Sequence, residues 1–145
     1  MRGYRRIVAP VALLALLGAA ACGKKPEEKL LGKWKADSAA LEKAAQTELS
    51  SKGLPAEAVT AAVEKVKQMA GSMTLDITAE KMVVGMGGRT HEGSWKITGT
   101  EGEKFQVHIA DAKGYKRDVT LSIAGETLSM KDPDIPVELP MVRAQ

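Results

Sequence analysis

From about position 73 onward, apolar residues recur at every second place, and the alternation persists almost to the end of the chain. Met73, Leu75 and Ile77 alternate with Thr74, Asp76 and Thr78. Met82, Val84 and Met86 follow, then Trp95 with Ile97, and Phe105, Val107 and Ile109. Val119, Leu121 and Ile123 continue the series, then Leu128 with Met130, and finally Leu139, Met141 and Arg143. A period of two sends successive side chains to opposite faces, so each run predicts a strand buried on one face and wet on the other, as in antiparallel sheet. Gly87-Gly88, residues 99–102, residues 111–114 and Ala124-Gly125 separate the runs and are short enough to be hairpin turns.

The preceding stretch has a different period. Leu41, Ala44, Ala45 and Leu49 fall on one helical face, with Asp37 and Ser38 placed to cap it. Gly53 then offers a stop, Pro55 a start, and Val59, Val63, Val66 and Ala70 a second apolar stripe. Residues 37–70 thus predict a helical hairpin, inserted after a first strand around Trp34 at residues 30–35. The expected fold class is α+β, an antiparallel meander of about seven to eight short strands closed as a small barrel or left as a curved half-barrel. Strands of about five to seven residues favour a barrel that is filled or half-open over a roomy one.

The N-terminus belongs to neither pattern. Arg2, Arg5 and Arg6 precede an apolar run over residues 7–21 that ends in small residues, which describes a secretory signal peptide. The run is shorter than the roughly 18 apolar residues of a membrane-crossing helix, and Lys24 and Lys25 close it off. Cys22, the only cysteine, follows Ala19-Ala20-Ala21 directly. This resembles the bacterial lipoprotein signal, which implies cleavage before Cys22 and its acylation with fatty acids such as palmitate. The family's usual leucine at the third place before the cysteine is Ala19 here. Ala19 and Ala21 also form an ordinary signal-peptidase site, whose use would release a soluble protein with a free Cys22. Gly23 rather than Asp after the cysteine implies the outer membrane. The expected address is the cell envelope, facing the periplasm or the cell surface, with residues 22–29 as a charged tether.

Removing residues 1–21 removes three arginines, so the net charge of +3 disappears and basic and acidic side chains balance. A neutral chain without a basic stripe argues against nucleic acid as a partner. The length suits one ordinary domain, residues 30–145, and a lone cysteine leaves its stability to core packing rather than disulfides. Trp34, Trp95, Phe105 and Tyr115 are the only aromatics after the leader, too few for the stacking platforms of single-strand or sugar binders.

Gly32-Lys33-Trp34 on the first strand, with Arg143 on the last, resembles the lipocalin and lipocalin-like lipoprotein pattern. In that family the Gly-x-Trp opens the barrel, and a final-strand arginine packs on the tryptophan to close its base. The resemblance implies that structural pairing for Trp34 and Arg143. Met82, Val84, Trp95 and Phe105 are the possible ligand lining: a cavity among them would support ligand binding, and solid packing there an interaction or structural role. The helices at residues 37–70 depart from the family, whose chain turns straight into its second strand.

No Gly-x-Ser-x-Gly, His-Glu-x-x-His, Walker A or paired-cysteine motif occurs, and no acid, base and nucleophile fall into catalytic spacing. The chain reads as a non-enzymatic envelope lipoprotein without a cofactor, serving structurally or binding an apolar ligand or an envelope protein. The alternative is a periplasmic Cu(I)-handling protein. Met82 and Met86 share a strand face with His91 close behind, and soft thioethers suit that ion. Against it, methionine is a normal filler of aromatic-poor cores. His108 shares the polar face of its strand with Gln106, and Asp132-Pro133-Asp134 reads as a turn. The intact mass of the mature protein is expected to show loss of residues 1–21 and added lipid at Cys22; cleavage without lipid would make it a soluble periplasmic protein.

Overall fold

A computed structural model describes Gly23 and residues 25–145, so the leader and Cys22 lie outside the described residues. Eight strands follow one another: β1 (Gly32–Ala36), β2 (Thr74–Ile77), β3 (Met82–Met86), β4 (Arg89–Glu101), β5 (Lys104–Ala110), β6 (Lys116–Ala124), β7 (Thr127–Lys131) and β8 (Leu139–Arg143). Each pairs antiparallel with the next, and β8 pairs with β1, so the sheet closes into a barrel rather than a curved half-barrel. Of the three helices, α1 (Pro26–Leu30) precedes β1, while α2 (Ser38–Ser51) and α3 (Ala56–Ala70) stand between β1 and β2. Among the described residues no helix is long and apolar enough to cross a membrane.

The alternation in sequence becomes inside and outside here. Leu75, Ile77, Phe105, Val107, Leu121 and Leu128 are each 1 % exposed or less, and the residues between them face water or lie half-buried. The helices join the same core through the stripes their period marks out, Leu41, Ala45 and Leu49 on α2 and Val59, Val63, Val66 and Ala70 on α3. Asp37 caps α2 by accepting the Ala40 amide at 3.1 Å. Lys67 ties the two helices together, reaching Glu42 of α2 at 3.1 Å and Glu64 at 3.4 Å. The hydrogen bond to Glu42 raises the Lys67 ammonium above its ordinary pKa.

Two segments differ from the pattern read in sequence. Residues 26–30 form α1 instead of a tether running straight into a strand. Pro26 suits the first helical turn, Glu27 and Glu28 complement the helix N-terminus, and Leu30 is fully buried. The fourth strand is 13 residues long, well beyond the expected five to seven. It serves β3 as far as Gly93 and β5 from Ser94 onward, and a register shift between Ile97 and Gly99 bends it within its pairing to β5.

Strand direction distinguishes a base from a mouth. The start of β1, the end of β8 and the β4–β5 turn lie at the base, covered by α1, whose Lys29 bridges Glu103 at 2.9 Å. Trp34 is 1 % exposed there and donates its indole N–H to the Leu30 carbonyl at 2.9 Å. The Arg143 guanidinium lies 3.8 Å from the Trp34 ring centroid and donates to the Leu31 and Lys29 carbonyls. Gly32 makes room for it: φ is +125°, and a Cβ there would clash with the Arg143 guanidinium. At the mouth are the tight Gly87-Gly88 turn, with φ of +58° and +76°, the β5–β6 and β7–β8 loops, the start of α2 and the end of α3.

Trp34→Ala is expected to cost about 3–5 kcal/mol of stability. Arg143→Ala is expected to cost about 1–2 kcal/mol through the lost stacking, and Gly32→Ala about 1–3 kcal/mol through its backbone angle. Urea denaturation of the three variants measures all of these.

Candidate ligand cavity at the barrel mouth

The inward alternation does not fill the barrel evenly. At the base large side chains meet, but toward the mouth Val84, Ile109, Val119, Met73 and Met130 stand back and leave a cavity of about 330 Å³. That lies near the lower end of small-molecule sites, which run from roughly 300 to 1,000 Å³. Met69 of α3, Met86 of β3 and Ile135 of the β7–β8 loop extend its apolar wall to the rim. Among the described residues four large apolar side chains are notably exposed, and three of them, Met69, Met86 and Tyr115, ring this opening. Such clustering, rather than scatter, distinguishes a binding mouth from ordinary surface.

One rim is charged. On β6, Arg117 occupies the same inward face as Val119 and Leu121, one step nearer the mouth. Its guanidinium donates to Asp132, which is 5 % exposed, and at 3.1 Å to Asp134, both in the loop after β7. The other terminal nitrogen reaches the Tyr115 hydroxyl at 2.6 Å. The hydrogen bond to Asp132 comes first among the causes that raise the Arg117 pKa further, against the opposing effect of burial. Arg117 Nε is buried with no hydrogen-bond partner. Asp132 also accepts the Asp134 amide at 2.9 Å, so the same carboxylate shapes the loop and holds the arginine. Asp111 organises the neighbouring loop by accepting the amides of Lys113 and Tyr115, each at 2.8 Å. Across the opening, His91 stacks on Tyr115 with ring centroids 6.1 Å apart, and Glu92 is bridged to Lys81 at 2.9 Å.

Of the residues singled out in sequence, Val84 lines this cavity, while Met82 and Phe105 are buried at 0 % and 1 % exposure outside its lining. Trp95 is half-buried, directs its indole N–H to the Thr78 carbonyl at 2.8 Å, and is also outside the lining. Of the three possible soft ligands, Met86 and His91 reach the rim and Met82 stays in the core. His108 pairs with Asp118 at 2.7 Å on the outer face. Cys22 lies outside the described residues. Arg117 is, with Asp111 and Tyr115, one of the rim residues that the sequence reading misses. Its signal was there, since the period of Val119, Leu121 and Ile123 extended back by two lands on a charge at an inward position. Asp132 and Asp134, legible only as a turn, are its counterions.

Comparison with known proteins finds no family model, no curated protein and no solved structure that matches this chain.

Asp132→Ala is expected to lower stability by about 2 kcal/mol, because it removes the buried acceptor of a charged group. Asp134→Ala, at an exposed partner, is expected to change stability by about 0.5 kcal/mol or less. Thermal or urea melts of the two variants separate them.

Proposed function

We propose that the protein is an envelope lipoprotein whose lipocalin-like barrel binds a small, mostly apolar ligand at its mouth without transforming it. The observation that carries this reading is the cavity of about 330 Å³, apolar in its depth and ringed by exposed Met69, Met86 and Tyr115. A water molecule takes up about 30 Å³, so the space suits a body of roughly ten non-hydrogen atoms.

The anchor and the cavity fit together in this reading. Residues 23–25 separate Cys22 from α1, and three extended residues span roughly 11 Å at most. A lipid on Cys22 would therefore hold the closed base against the membrane and turn the open mouth away from it. The ligand, on this account, arrives from the aqueous side, or from a partner protein docking there.

Periplasmic Cu(I) handling is a second reading. What favours it is that Met69, Met73, Met86, Met130 and His91 line the same cavity, and thioethers with imidazole are soft enough for that ion.

Calorimetric titration with 1-nonanol, on the mature chain carrying Cys22→Ser so that no detergent competes, tests the first reading. Saturable binding is expected, weakened about tenfold or more, at least ~1.4 kcal/mol, by Val119→Trp, which fills the cavity. A circular dichroism spectrum checks that the variant folds. No binding by the parent chain, together with tight Cu(I) uptake lost in Met86→Leu/His91→Gln, would replace the first reading with the second.

A further inference from the structure

We propose that the ligand of the mouth cavity is an amphiphilic cation, a primary or quaternary amine on a short hydrocarbon body. This rests on the reading of the cavity as a ligand site and names the class of ligand it selects. The depth of the cavity takes the hydrocarbon: Met73, Ile109, Val119 and Met130 are each 6 % exposed or less, and none carries a charge. Selection is made at the rim, where the head group must sit.

The rim is lopsided in charge. Four carboxylates, Glu92, Asp111, Asp132 and Asp134, line the cavity against one guanidinium, Arg117. That guanidinium is already committed, held by Asp132 and Asp134 and by the Tyr115 hydroxyl. Three of its five N–H donors are taken in this way and the Nε–H is buried, so it does not offer an anionic head group an unpaired positive charge. Glu92 has Lys81 at 2.9 Å, but no cation lies within bridging distance of Asp111 among the described residues. Arg89 stands opposite Met86 at the hairpin end, yet it is not part of the lining. A carboxylate head would therefore enter a field of its own sign, and an ammonium would enter one of the opposite sign. The Tyr115 ring adds an electron-rich face that attracts a cation, at an exposed position where a head group can reach it. Fatty acids, the common cargo of an apolar pocket, are thus disfavoured.

Titrating the Cys22→Ser mature chain at low salt with n-nonylamine, 1-nonanol and n-octanoate, probes of similar size, tests this. The amine is expected to bind about tenfold tighter than the alcohol and the carboxylate more weakly than either. The preference is expected to shrink in 0.5 M salt, and to fall several-fold in Asp111→Asn/Asp134→Asn. That variant keeps the shape and the hydrogen-bond acceptors of both loops, and its melting curve shows whether it stays folded. Octanoate binding as tightly as the amine would overturn the cation class and leave the ligand reading standing. Failure of all three probes to bind would overturn both. Amine binding that survives Val119→Trp, or a preference unmoved in the double Asn variant, would also overturn the proposal, since the first is surface adsorption and the second lacks the charge selection.

Discussion

Closure of the sheet between its first and last strands is the constraint on which the rest of this structure depends. An open eight-stranded sheet would expose two edges and leave its apolar face to be covered from elsewhere; a closed one has no edge and encloses its own core. Here the closing seam pairs Trp34 directly with Arg143. The ring and guanidinium stack at the base, and the arginine's donors run on to carbonyls of the chain just before β1. The same arginine thus fastens three things: the last strand, the buried tryptophan and the entering segment. Gly32, with a backbone angle that L side chains rarely adopt, lets the guanidinium pass at the seam.

With the base fastened in this way, the two ends of the barrel differ in kind. At the base, Trp34, Phe105 and Leu121 fill the interior, and α1 covers it. At the mouth the inward positions are taken by residues that either stop short, such as Val84 and Val119, or carry charge, such as Arg117. Burying Arg117 on an inward face is tolerable because Asp132 is brought to it from the next loop, which meets the cost of desolvating a charge. The polar network and the cavity are therefore products of one arrangement: the loop that neutralises the arginine also walls the opening. The rim that results is more acidic than basic around an apolar depth, which gives the cavity both a size and a sign.

The helical pair shows how propensity and tertiary structure agree in one region and part in another. The apolar stripes on α2 and α3 are readable by period and are buried, except for Ala44, which is half-buried. Met69, between those stripes, reaches the cavity rim at 42 % exposure, a placement that depends on how α3 meets the barrel. The β7–β8 segment is similar. Its prolines and aspartates announce irregular backbone, but nothing local announces that Asp132 is buried against a residue of another strand.

What the amino-acid order determined by itself is the set of strands and helices and the side of each that turns inward, because period two and period 3.6 are local properties of a chain. The Trp34–Arg143 seam was also legible, through its resemblance to a known pattern. Tertiary structure alone decided the height of each inward residue along the barrel axis. Met82 and Phe105, inward by period, lie in the filled part, while Val84, two residues from Met82, reaches the open part. That height follows from the stagger between neighbouring strands and from the long, bent β4, which are set by pairings distant in sequence. The cavity, its acidic rim and the partners of Arg117 exist only once that stagger is in place.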